Sequence, residues 1–207
     1  TKSLYQLLRN IIILGTGGHS RSCIDVIECS NIFKISGFVK AADFNEISFE
    51  GYPVIGEDHQ LEEIRTKYSN ALIGIGQIRT ASIRMNLFNM LKKYNFNLPI
   101  ISSRYAYVSD HSSIDEGTII MHQALINFGS KIGKNCIINN KVLIEHDVII
   151  GDNCHIATGA ILNGGVKVES GTFIGSGSVV KQAVKIGKNC IVEAGSYVNA
   201  DLKSKKP

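Results

Sequence analysis

The chain has 207 residues, of which 22 are basic and 18 acidic, for a formal net charge of +4, and 44% are hydrophobic. That length suits one large domain or two small ones with a real core. The charge is too mild and dispersed for nucleic acid to be the main partner, and no apolar run is long enough to predict a transmembrane helix; anionic small molecules remain open as partners.

The opening TKSLYQLLRN shows no export signal. Five cysteines, Cys23, Cys29, Cys136, Cys154 and Cys190, form no CxxC pair. An odd count without an export signal predicts reduced thiols and a cytoplasmic setting, with no disulfide framework or zinc site. The closing KSKKP reads as a solvated tail.

Residues 11–14 (IIIL) read as a buried strand, followed by the glycine-rich turn GTGGHS and a short helix over residues 20–30. SGFVK reads as a second strand, YPVIG as a loop or short strand, and ALIGIG as another buried strand. Helical spacing covers residues 58–67 and 79–95, where Ile83, Leu87, Met90, Leu91 and Tyr94 are expected to share a face. Alternating strands and helices predict a small Rossmann-like α/β domain over residues 1–100, with the boundary near Pro99.

Gly15, Gly17 and Ser20 fall on the G-x-G-x-x-G positions, but strand two ends on Lys40 and the next acid, Asp43, comes late. NAD is therefore disfavoured. The turn better suits backbone N–H groups and a helix start facing another anionic ligand, with His19 either touching that ligand or capping the helix.

The second half is a repeat. From Val108 to Val198 an aliphatic residue returns every six positions, sixteen times without a failure. Two positions before each stands a small or β-branched residue, and glycine often follows. Six is divisible by two, so short strands still alternate in and out. The period predicts a parallel β-helix of triangular section over residues 101–207, three hexapeptides per 18-residue coil and about five coils. Cys136, Cys154 and Cys190 fall in the small inward lane and are expected to pack as small hydrophobes.

Within this repeat, LIEHDVIIGDNCHIATGAILNGG holds His146 beside Asp147, and His155 nine residues on. Acyl transfer to an amine or hydroxyl requires a base with a pKa near working pH, a carboxylate to orient it, and a backbone N–H for the oxyanion. His146 and Gly164 are 18 residues apart, so they are expected on one face of successive coils, roughly 4.8 Å apart. No HxH or HxxxH pair occurs, and no metal is expected. His59, His111 and His122 lack supporting context and read as structural or surface residues.

An N-terminal GxGGH turn joined to a hexapeptide repeat carrying IEHDxxIGDxCHIxxGA resembles the bacterial sugar acetyltransferases, from residue 11 to about 200. These include sialic acid O-acetyltransferases and N-acetyltransferases of nucleotide-linked 4-amino sugars. The resemblance implies a left-handed β-helix, a homotrimer with active sites between neighbouring helices, and acetyl-CoA as donor. It implies His146 as general base, Asp147 as its orienting acid, His155 lining the acetyl-CoA site, and a Gly164 N–H at the thioester carbonyl. Asn139 matches an asparagine near the acceptor. Gly17, Gly18 and His19, with Gly76 and Gln77 of the GIGQ turn, match the residues that meet the nucleotide sugar. Two departures stand out: Lys40 and Ala41 replace an acidic pair, and no GNPA segment follows the repeat. The expected activity is N-acetylation of a nucleotide-linked 4-amino-dideoxy sugar for surface glycan. Sialic acid O-acetylation and a non-catalytic trimeric scaffold are the alternatives.

Overall fold

A computed structural model describes residues 8–41 and 46–205; Asp43 and the last two residues of KSKKP lie outside them. The first half runs β1 (Arg9–Leu14), α1 (Gly18–Ser30), β2 (Phe33–Lys40), β3 (Ser48–Phe49), β4 (Tyr52–Glu57), a 3-10 turn at Asp58–Gln60, α2 (Leu61–Arg65), β5 (Ala71–Ile73) and α3 (Ser82–Lys93). The sheet order is β3-β4-β2-β1-β5. All pairs are parallel except β3 with β4, which close a hairpin.

The run IIIL is apolar throughout because both of its faces are covered. Ile11 and Ile13 pack with Cys23, Val26 and Ile27 of α1, while Ile12 and Leu14 pack with Leu61 and Ile64 of α2 and Leu87 and Leu91 of α3. The expected face of α3 is shifted. Ile83 is 57% exposed, and Arg84 is buried in line with Leu87 and Leu91. Positions 83 and 84 both have helical spacing to 87, so the pattern alone did not choose between them.

From Ile101–Ser102 onward, two-residue strands recur every six residues to Tyr197–Val198. They stack into three parallel sheets, the flat faces of a triangular prism. Face I carries Leu125, Leu143 and Ile161 in its outward lane; face II carries Lys131, Ile149 and Lys167; face III carries Ile137, His155 and Phe173. Partners differ by 18 residues, as in Leu125 with Leu143. Faces I and III have six strands and face II five, so the prism has between five and six coils.

The aliphatic lane fills the interior from Ile120 to Val198. The small lane is more specific than size alone requires. Thr118, Ser130, Thr172 and Ser178 are buried, and each hydroxyl donates to a carbonyl fifteen residues on. Cys136 and Cys154 make the same reach through Sγ, to the carbonyls of Gly151 and Glu169. Their thiols are buried and unpaired, and burial pushes that of Cys154 up. The corners turn through left-handed residues, including Asn135, Asp147, Asn153 and Asn189, where Asn and Asp are the best tolerated side-chain-bearing residues.

The two halves share a core. Ile101, Ile119, Met121 and Ile137 of face III pack with α1 and the sheet. His122, which had no context in the sequence, is a clasp between them. Its Nε2 lies 2.8 Å from Asp25 of α1 and its Nδ1 2.7 Å from the Ser103 hydroxyl. Residues 203–205 of KSKKP are exposed, as expected of a solvated tail, but its start is tied to the last coil: the Lys205 amide donates to the Lys188 carbonyl, and Leu202 pairs in parallel with Ile186.

Candidate active site

Two groups of polar residues occupy different parts of the prism. The first stands on the edge between faces I and II. Asp147 takes φ +60° at that corner, which turns its carboxylate back on its neighbour. His146 Nδ1 then donates to Asp147 Oδ2 at 2.9 Å. With its proton fixed on Nδ1, the ring presents Nε2 as a free acceptor. That nitrogen lies over Gly164 in the next coil, where a Cβ would stand 2.6 Å from Nε2. Only glycine leaves this space, and no backbone bond among the described residues uses the Gly164 amide. The His146 and Asp147 side chains are 58% and 68% exposed, so the pair faces outward from a single chain.

Gly164→Ala tests this packing. The added methyl is expected to push the imidazole aside while the backbone stays in place, because what it meets is a mobile ring and not the coil. Turnover should fall about 10- to 100-fold with the melting temperature nearly unchanged. Equal turnover in the variant would show that the position of the ring over Gly164 does not matter.

The second group lies where face III meets the first domain. Gly17 caps α1 with no side-chain bond, and the first turn of α1 holds no acid. Its leading amides are therefore open to an anion. Gly15, at φ +103°, starts the turn. Ser20 ties it to the GIGQ turn by donating to the carbonyls of Gly15 at 2.7 Å and Gly74 at 3.0 Å. Gly17, Gly18 and Gly76 are exposed at the mouth. These turns close the C-terminal ends of β1 and β5, and the chain order reverses at β1, which pairs with β2 on one side and β5 on the other. Ligands of open α/β sheets bind at such a crevice.

His155 belongs to this second group. It points out of the coil, yet is only 7% exposed because the first domain covers it. Its Nδ1 donates to the Gln77 carbonyl at 2.5 Å, and its Nε2 faces the Asn139 amide at 3.3 Å. Phe173 packs edge-on at 5.2 Å and His19 lies at 6.5 Å between ring centroids. Burial, assisted by the nearby Arg84 charge, lowers His155 to about 4, against the bond to the Gln77 carbonyl, which raises it. Burial, then Arg84, then His155 lower His19 to about 3. Both rings are neutral at pH 7. His19 Nε2 and Gln77 Oε1 are buried without a partner, so this junction holds hydrogen-bonding capacity that the chain does not use itself. On the outer side of the crevice Lys40 pairs with Glu57 at 3.1 Å.

The structure thus brings His146, Asp147 and Gly164 together, and separately His19, Gly76, Gln77, Asn139 and His155. It does not bring the two groups together in one chain. From Asn139 the coil turns a corner at Lys141 and crosses face I through Leu143–Ile144 before reaching His146, so the two stand at opposite edges of that face. Sequence reasoning missed Arg84 and Asn135 beneath the second group. Their only signals were the spacing of Arg84 from Leu87 and Leu91 and the place of Asn135 at a coil corner.

Among the described residues there is no group of three or more His, Cys, Asp or Glu side chains able to hold a metal, and no helix is long and apolar enough to cross a membrane.

Comparison with known proteins places these features in a family. The profile of the PglD N-terminal domain matches residues 10–91. Residues 129–164 match the bacterial transferase hexapeptide profile, and residues 165–200 the hexapeptide repeat of succinyl-transferase. No curated protein sequence matches significantly. Among solved structures, PerB from Caulobacter crescentus in complex with CoA and GDP-perosamine is 30% identical over 95% of this chain and 91% of its own, with a TM-score of 0.88. A histidine-to-asparagine variant of perosamine N-acetyltransferase from the same organism, also with CoA and GDP-perosamine, is 29% identical over the same shares with the same score. The acetyltransferase domain of PglB from Neisseria gonorrhoeae is 25% identical over 94% of this chain and 93% of its own, with a TM-score of 0.85. With its small α/β domain followed by a left-handed hexapeptide β-helix, the chain belongs to the hexapeptide-repeat sugar acetyltransferases, a family of acyltransferases.

Proposed function

We propose that this protein transfers the acetyl group of acetyl-CoA to the 4-amino group of a nucleotide-linked dideoxy sugar, in a site shared between neighbouring copies of the chain. The observation that carries the chemistry is the stack of His146 on Gly164. Nε2 takes a proton from the amine as its nitrogen attacks the thioester carbonyl carbon. Asp147 holds the tautomer and stabilises the imidazolium. The Gly164 N–H receives the developing oxyanion. Collapse forms the amide and expels the CoA thiolate, to which the proton returns. The missing Cβ at Gly164 is what lets the ring lie over the backbone, and the Gly164 N–H, which makes no backbone bond among the described residues, is what acetyl-CoA would meet as substrate.

The second group supplies the acceptor site. Open α1 amides at Gly17 and Gly18 suit a diphosphate, and His19 Nε2 and Gln77 Oε1 offer unused neutral bonding capacity to the sugar; His155, expected at acetyl-CoA from the resemblance, stands instead in this group, where it holds Gln77 and Asn139. Asn139 is near one edge of face I and His146 stands on the other. Between them the outward lane of face I reads Tyr107, Leu125, Leu143, Ile161, Val179 and Tyr197, with the two tyrosines 60% and 65% exposed. An unbroken apolar lane suits burial against another copy. A closed ring, each face I edge meeting the next copy, would repeat one heterologous contact and set His146 of one copy against the cleft of its neighbour. Three copies are the proposed assembly.

Thiol release from acetyl-CoA, measured with UDP-4-amino sugar, GDP-4-amino sugar and sialic acid as acceptors, tests the reaction. Turnover on an amino sugar is expected; turnover on sialic acid alone would move the protein to hydroxyl acetylation, and silence on all three would favour a scaffold. Co-assembly of His146→Ala and His155→Ala chains tests the shared site. Two variants inactive alone should together regain about a quarter of wild-type rate, because some interfaces then pair two intact groups.

A further inference from the structure

Arg84 is 1% exposed on α3. Its Nη1 donates to the carbonyls of Ile73 at 2.9 Å and Ile75 at 2.6 Å; its Nη2 donates to Asn135 Oδ1 at 2.7 Å and to the Asn135 carbonyl at 3.3 Å. Nε has no partner. The Asn135 amide donates in turn to the Arg84 carbonyl at 3.3 Å and to Asn153 Oδ1 at 2.8 Å. Every acceptor around the guanidinium is neutral. None of the ion pairs among the described residues includes Arg84, and the acidic groups that act on it are the thiols of Cys23 and Cys136. Burial lowers it only to about 10, so it is charged at pH 7.

A buried cation without a carboxylate is costly even when hydrogen-bonded, and a neutral side chain could fill the same space. The charge is therefore left uncompensated within the chain and can act on an anion outside it. Arg84 lies directly beneath the GIGQ turn, whose entry it grips through Ile73 and Ile75, and close enough to His19 and His155 for its charge to act on both. A charge in this dry junction is poorly screened by salt.

We propose that Arg84 is a positioning residue for the acceptor: the fixed counter-charge to a nucleoside diphosphate held at the Gly17–Gly18 turn, acting from below the cleft without touching the ligand. It deepens the acceptor reading above and rests on it. The charge adds to the open amides of α1, and its fork fixes the turn on which Gly76 and Gln77 sit.

Direct binding of UDP, GDP and the matching nucleosides to the whole protein tests it, with two variants that remove the field in different ways. Arg84→Met deletes the charge. Asn135→Asp keeps the guanidinium but places a carboxylate where Nη2 already donates. In both, affinity for the preferred nucleoside diphosphate should fall about tenfold or more while that for its nucleoside changes little, and the KM for acetyl-CoA should hold. Arg84→Lys should recover most of the loss. If either folded variant loses nucleoside and diphosphate equally, or if Asn135→Asp binds diphosphate as wild type does, Arg84 is a structural brace only and the inference is wrong. Acetylation of the amino sugar by wild type would then still stand. A wild-type protein that binds neither diphosphate would overturn both.

Discussion

His146→Ala is expected to reduce turnover about 100-fold or more, the lower range for loss of a positioned general base, with assembly and melting temperature unchanged. The fold should not register the change because the ring is on the outside of the coil, 58% exposed, and its one side-chain bond runs to Asp147 beside it. No core contact is lost. About 100-fold corresponds to roughly 2.7 kcal/mol of transition-state stabilisation, more than a surface imidazole contributes to stability. The KM values for both substrates should move little, since a general base, the role proposed for this ring, contributes most as the proton is transferred. Asp147→Asn should fall between wild type and His146→Ala: it retains a partner at Nδ1 but not the charge that stabilises the imidazolium. Steady-state thiol release beside a thermal melt checks both. Wild-type turnover in His146→Ala would remove the base from this position.

Leu143→Glu should have the second largest effect, through assembly. Leu143 is in the middle of the apolar lane of face I, between Leu125 and Ile161 in successive coils. It is half-buried in the single chain. Completing the burial of a leucine contributes about 1.5–3 kcal/mol. Putting an unpaired carboxylate there instead costs several more, and a ring of three repeats the defect at every interface. The variant is expected to sediment as a monomer at micromolar concentration and to lose activity about 100-fold or more, while its circular dichroism stays that of a β-helix. The coil survives because Ile144, the inward neighbour, is untouched and 0% exposed. An active monomer would place the whole reaction within one chain and refute the shared site.

The β-helix was legible because its information is local and repeated. The period of six fixes the in-out alternation at every coil, and Ile120 through Val198 all face the interior accordingly. Strand positions in the first half were also legible, since a parallel strand covered on both faces must be continuously apolar. Boundaries were less so: α1 begins at Gly18, inside the glycine turn, because its start is left open instead of being capped by a side chain. The pairing of His146 with Gly164 followed from the 18-residue coil and is seen in the ring lying over the glycine.

Other features depended on what packs against what. By period alone His146, at a corner two past Ile144, and His155, beside inward Ile156, are both outward residues of the same repeat. One stays in solvent on an edge, while the other is enclosed because α1 and the GIGQ turn happen to cover face III, and only the assembled domains determine that. Ile83 and Arg84 are likewise indistinguishable by helical spacing. Arg84 is inside because four neutral acceptors meet it there, one from the end of β5, one from the GIGQ turn after it and two from a coil corner 51 residues away. Elements, coil length and inward residues could be read from the residues in order, since each depends on covalent geometry and nearby alternation. Which outward residues are covered and which charge is buried emerged only from the packed domains, because burial of an outward side chain is a property of its distant neighbours.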